Sequence, residues 1–135
     1  MRAYNVSPVE TGMSIKILLA EDHEMVRAGL RSLLAEEPGM EVVGEAGDGW
    51  TAVRLAEELA PDVVVMDVRM PGLTGVEATR QIVDRNGAGP RVVALSAHSD
   101  GRVTAQMLAA GAMGYVMKEA AFEYVFLFRI LGIQA

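Results

Sequence analysis

The chain has 135 residues, a formal net charge of −6, 51% hydrophobic residues and no cysteine. That length fits one domain around one core, and the acidic balance argues against direct nucleic-acid binding by this chain. The lack of cysteine excludes disulfides and thiolate metal sites and suits a cytoplasmic protein, and no apolar run approaches the roughly 20 residues of a membrane helix.

Residues 1–13 carry Pro8, Gly12 and no sustained period, and read as a flexible leader before a domain over 14–135. Ile15-Lys16-Ile17-Leu18-Leu19-Ala20 is a short apolar run, the pattern of a strand covered on both faces. Val26, Leu30, Leu33 and Leu34 then follow helical spacing up to Pro38-Gly39. A second strand around Val42-Val43 is flanked by Glu41 and Glu45, which suggests a sheet edge. After the Gly47-Asp48-Gly49 turn, Trp50 to Leu59 reads as a helix ended by Pro61. Val63-Val64-Val65-Met66 is the most strongly β-branched run and is predicted as the central strand. A third helix runs through Val76, Thr79, Ile82 and Val83, a fourth strand through Val92 to Leu95, and a fourth helix through Val103, Met107 and Ala110. Tyr115-Val116-Met117 forms a fifth strand before a final helix. Strict strand–helix alternation with right-handed crossovers predicts an α/β, doubly wound, five-stranded parallel sheet of order 2-1-3-4-5, a flavodoxin-like fold.

In such sheets ligands bind beyond the carboxyl ends of the strands. The sequence puts Glu21-Asp22 after strand one, Asp67 after strand three, Ser96 after strand four and Lys118 after strand five. Clustered carboxylates behind apolar strands are costly unless a cation compensates them. With no sulfur and no paired histidines, that cation is a hard divalent ion, Mg²⁺, with Mn²⁺ as a substitute. Lys118 is one of two lysines against ten arginines, and its compact charge suits a phosphoryl oxygen, as does the Ser96 hydroxyl. The set describes a nucleophilic aspartate beside Mg²⁺, poised for phosphoryl transfer.

The segments Leu18-Leu19-Ala20-Glu21-Asp22-His23, Met66-Asp67-Val68-Arg69-Met70-Pro71-Gly72, Ala94-Leu95-Ser96-Ala97-His98 and Gly114-Tyr115-Val116-Met117-Lys118 resemble receiver domains of two-component response regulators. The likeness is to the NarL/FixJ (LuxR-type) subfamily and runs from about Ser14 to Lys118. It implies that Asp67 is the phosphoacceptor and that Asp22, Asp67, the Arg69 backbone carbonyl and, through water, Glu21 hold Mg²⁺. It further implies that Lys118 and Ser96 stabilise the phosphoryl group, that Ser96 and Tyr115 form the switch, and that Arg69 and His98 tune its lifetime. The implied donor is a sensor histidine kinase, and the implied output is a shift of the helix 4/strand 5/helix 5 surface that controls dimerisation or transcription.

Other readings are simpler. Glu21 and Asp22 also suit helix capping. His23 and His98 lack ligand spacing, Arg27, Arg31 and Arg80 read as solvated helix residues, and the nine methionines as core filler. Trp50 is expected to pack against the turn before its helix. A haloacid-dehalogenase-like phosphatase would also use a strand-end aspartate, but wants a second aspartate where Arg69 stands. The subfamily's polar helix and basic output domain do not follow Lys118. Residues 121–133 instead read as a helix apolar all round, carrying all three phenylalanines and suggesting a homodimer contact.

Overall fold

A computed structural model describes residues 14–83, 89–96 and 101–117 of the chain. Its elements alternate as β1 (Ile15–Ala20), α1 (Glu24–Ala35), β2 (Met40–Ala46), α2 (Gly49–Leu59), β3 (Val63–Asp67), α3 (Gly75–Val83), β4 (Arg91–Ser96), α4 (Gly101–Ala109) and β5 (Gly114–Met117). The five strands form one sheet in the order β2-β1-β3-β4-β5, with every neighbouring pair parallel. The expected topology and the central position of β3 are therefore observed. The fourth helix closes one residue earlier than its apolar spacing implies, because the chain turns at Gly111, whose φ of 116° favours glycine. The leader, the final helix and residues 121–133 lie outside the described residues.

The period-two alternation of buried strands divides the core between the two faces of the sheet. Leu18, Ala20, Val64, Met66, Val92 and Ala94 pack with Ala52, Ala56, Ala78, Ile82 and Met107 of α2, α3 and α4. Ile15, Ile17, Leu19, Val63, Val65, Val93 and Leu95 pack with Leu30 and Leu34 of α1. Each fully buried Leu, Ile or Val contributes about 1.5–3 kcal/mol relative to an exposed one. Among the described residues no helix is long and apolar enough to cross a membrane. The methionines divide: Met66, Met70 and Met107 are core residues, but Met25 is 88% exposed and Met113 also faces solvent.

β2 contains an irregularity that the sequence does not announce. Ile17 pairs with Val42 but Leu18 pairs with Gly44, so Val43 is an inserted residue. A one-residue insertion exchanges the faces of everything after it. Glu45 therefore pairs with Leu19, a residue of the α1 face, rather than with Ala20 on the opposite face. Gly44 at the bulge fits because a Cβ there would press on the Leu59 side chain.

α2 begins with a side-chain cap. Asp48 accepts hydrogen bonds from the Thr51 backbone N–H at 2.8 Å and from the Thr51 hydroxyl at 3.0 Å. The backbone bond from Thr51 is the main reason the Asp48 carboxyl lies below its ordinary value; the Thr51 hydroxyl adds to this, burial opposes it, and the Trp50 amide and Arg54 contribute less. A carboxyl depressed by folding stabilises the fold above its unfolded pKa of about 4, and that stabilisation disappears as pH falls through the folded value. Asp48→Ala is expected to cost about 1 kcal/mol at neutral pH. Asp48→Asn keeps a capping oxygen that cannot titrate, so its urea midpoint is expected to fall less steeply than wild type below about pH 4. Parallel pH profiles for Asp48→Asn and wild type would show that the cap carries no pH dependence.

Candidate functional site

β1 and β3 are parallel neighbours with Ala20 opposite Met66, so the residues that follow, Glu21 and Asp67, emerge together at the carboxyl edge. Glu21 is fully buried and Asp67 is 3% exposed. Ser96, the buried last residue of β4, stands one position beyond Leu95, the partner of Asp67. Ligand atoms of Glu21, Asp22, His23 and Asp67 all lie within 4.8 Å of one another. The sheet register alone thus gathers acids that are remote in sequence.

The local chain explains why these acids face inward. The N-cap of α1 is His23, whose side chain makes no capping bond. Glu21 Oε2 accepts the His23 backbone N–H at 2.8 Å and lies 3.0 Å from His23 Nδ1. His23 Nδ1 is also 3.3 Å from Asp22 Oδ1, a buried atom without a hydrogen-bond partner among the described residues. Burial raises the Asp22 carboxyl, but hydrogen bonding with Asp67 and Glu21, the charge of His23 and a backbone N–H together hold it below its ordinary value. An ionised, buried oxygen without a hydrogen-bond partner, set among carboxylates, suits a hard divalent cation.

The loop after β3 is equally constrained. The Arg69 N–H donates to Asp67 Oδ1 at 3.4 Å, and Val68 N–H donates to Leu95 O at 3.2 Å. Gly75 N–H returns to Val68 O at 2.9 Å, and a Cβ at Gly75 would collide with the Asp67 carbonyl oxygen. Close approach of α3 to the strand end therefore requires glycine at 75.

Of the residues singled out from the sequence, Glu21, Asp22, Asp67 and the backbone of Arg69 are brought together, with Ser96 on the adjoining strand end. Tyr115 pairs with Ala94 on β5, on the same sheet face as Ser96, and is 41% exposed. Lys118 and His98 lie outside the described residues. Two expectations need correction. His23, set aside for want of ligand spacing, has its ring directly on the acids, because spacing along the chain says nothing about a ring folded back over two residues. Arg27, read as solvated, has a side chain only 20% exposed, donating to the Glu21 carbonyl oxygen at 2.6 Å and to Glu45 at 2.9 Å. Trp50 is 60% exposed and stands beside Gly72 in the loop after β3, where φ is 74°.

An acidic cluster at the carboxyl edge of a five-stranded parallel sheet of order 2-1-3-4-5 defines the receiver class. The response regulator receiver domain model matches residues 17–126, and the chain belongs to that family. The transcriptional regulatory protein LiaR of Bacillus subtilis (strain 168) is 46% identical over 104 residues, 77% of this chain and 49% of LiaR. Response regulator UvrY of Escherichia coli (strain K12) is 46% identical over 111 residues, 82% of this chain and 50% of UvrY. The chain spans about half the length of these curated relatives. A two-component response regulator of the LuxR family from Aurantimonas sp. SI85-9A1 superposes with a TM-score of 0.81 at 40% identity, covering 88% of this chain and 86% of that one. These neighbours agree with the NarL/FixJ-type resemblance read from the four strand-end motifs, and the family found is the receiver rather than the phosphatase.

Proposed function

We propose that this chain is the phosphoacceptor module of a two-component response regulator and that Asp67 accepts a phosphoryl group from the phosphohistidine of a sensor histidine kinase. The observation that carries this reading is the position of Asp67: nearly buried at the end of the central strand, against Glu21 and Asp22 and one strand from Ser96. An Asp67 carboxylate oxygen forms the new O–P bond while the N–P bond of the donor breaks. The electron pair stays with the imidazole nitrogen. Asp22, Asp67, the Arg69 backbone carbonyl and, through water, Glu21 would hold Mg²⁺, which when bound neutralises the clustered charge and polarises the phosphoryl oxygens. Ser96 donates its hydroxyl to a phosphoryl oxygen. Lys118, assigned by resemblance, supplies the compensating ammonium, and Arg69 and His98, also assigned by resemblance, set how long the phosphoryl group survives.

Ser96 and Tyr115 share a face of adjacent strands, which suits a switch in which movement of the hydroxyl toward phosphate makes room for the ring. The surface of α4, β5 and the segment after it then changes what it binds; a tenfold population bias needs about 1.4 kcal/mol of differential interaction. The output is homodimerisation through that surface or through residues 121–133. Transcriptional control runs through a separate output domain, in a cytoplasmic regulator whose receiver occupies residues 14–135.

Incubation with acetyl phosphate tests the reading. The expected result is one hydroxylamine-labile phosphoryl group per chain, formed only with Mg²⁺ and without sustained phosphate release. Continuous release at many turnovers would identify a phosphatase, and no labelling would contradict the proposal.

A further inference from the structure

Arg27 does more than join two elements. Its Nε donates to Glu45 Oε1 at 2.9 Å, and its Nη1 donates to the backbone carbonyl oxygen of Glu21 at 2.6 Å. The Glu21 N–H is itself held by Ala46 O at 2.9 Å, so both sides of this residue are tied to the carboxyl end of β2. Glu45 is in turn gripped by Arg31, at 2.9 and 2.8 Å to its two oxygens. Burial pushes the Glu45 carboxyl up, but the hydrogen bonds and charges of Arg31 and Arg27 outweigh it and keep the group ionised well into the acid range. The clamp exists only because Val43 is inserted in β2, which turns Glu45 onto the α1 face where both arginines lie.

The peptide unit is planar, so fixing the Glu21 carbonyl oxygen also fixes the position of the Asp22 Cα beyond it. We infer that Arg27, anchored on Glu45, is a positioning residue for divalent-cation binding: it holds the Glu21–Asp22 peptide so that the Asp22 carboxylate is aimed at Asp67 before the ion arrives. This rests on the receiver reading and on Mg²⁺ as its ion.

The electrostatic sign makes the inference testable. Arg27 is a cation close to a site for a cation, so through charge alone its removal would tighten Mg²⁺ binding. Acting through the carbonyl, its removal weakens binding, because the partners that orient a metal ligand are typically worth tenfold or more in affinity. Arg31 carries the same charge on the same carboxylate and bonds to Glu45, so it serves as the control.

Calorimetric Mg²⁺ titration of the whole chain decides, comparing wild type with Arg27→Met, Arg27→Lys, Arg31→Gln and Asp22→Asn. Arg27→Met and Arg27→Lys are each expected to weaken Mg²⁺ about tenfold, since lysine keeps the charge but cannot span both acceptors. Arg31→Gln is expected to stay within about twofold of wild type. Should Arg27→Met fail to fold, Arg27→Lys against Arg31→Gln carries the same comparison. Unchanged affinity in the Arg27 variants would reduce the clamp to a tie between α1 and β2 and overturn the inference. Tighter binding in Arg27→Met, or equal weakening in Arg31→Gln, would overturn it in favour of charge. Loss of Mg²⁺ in Asp22→Asn with binding in wild type establishes the site independently of Arg27, whereas absence of binding in wild type would overturn the proposed Mg²⁺-dependent phosphoacceptor role.

Discussion

Asp67→Asn is expected to reduce phosphoryl labelling to background while making the metal-free protein more stable. An amide oxygen of nearly the same shape has no ionised electron pair to direct at phosphorus, so the acceptor is lost without a change in packing. The stability effect follows from the geometry of the cluster. Glu21, Asp22 and Asp67 place ligand atoms within 4.8 Å of one another, and at a pH where no proton is shared among them, removing one charge from such a group is expected to relieve on the order of 1–3 kcal/mol at an effective dielectric near 20. The melting temperature without Mg²⁺ therefore rises in the variant, and the gain shrinks when Mg²⁺ is added to both proteins, because the wild type then binds the ion more tightly. A variant that loses labelling and is also less stable without metal would show that the carboxylates are not in mutual repulsion.

Gly75→Ala is expected to cost about 3 kcal/mol or more, opposite in sign to the usual effect of alanine in a helix. Glycine to alanine at an open helical position stabilises by about 1 kcal/mol. Gly29, exposed in α1 with nothing within 4 Å of a built Cβ, is the place in this chain where that gain is expected. At Gly75 the same methyl meets the carbonyl oxygen and carbon of Asp67 and the Cα of Val68, all backbone atoms that no rotamer change can move aside. α3 must retreat from the end of β3, and the retreat displaces the proposed acceptor. Urea unfolding of Gly75→Ala and Gly29→Ala side by side is expected to give midpoints shifted in opposite directions. A neutral Gly75→Ala would mean that the β3–α3 approach is loose, with no tight seat for Asp67.

Strand and helix order was legible because apolar runs and turn residues are local signals: β1 and β3 announce themselves as near-continuous Ile, Leu and Val, and Pro61 and Pro38-Gly39 punctuate the helices before them. The acidic cluster was legible for a related reason. A carboxylate following a fully apolar strand has few innocent explanations, and parallel topology leaves one edge for all of them. What stayed hidden depends on side-chain reach or on register. Nothing in Met40–Ala46 says that Val43 is inserted, yet that insertion decides which face Glu45 takes. Arg27 follows the acids at a spacing that suits any exposed helical arginine, and only the fold puts its guanidinium on the Glu21 carbonyl. Trp50 looked like a residue with something to cover, but the glycine beside it belongs to the loop after β3, far along the chain. Lys118 and His98 are known here by motif alone.

The central claim is that one carboxylate, Asp67, receives the phosphoryl group. Its most direct test is to label the protein with a phosphoryl donor and Mg²⁺ and reduce the acyl phosphate with borohydride, which converts a phosphorylated aspartate to homoserine. Peptide mass mapping then reads the position. Homoserine at position 67 and nowhere else is the predicted result; homoserine at 22, or phosphorus retained on a histidine or serine, would contradict it.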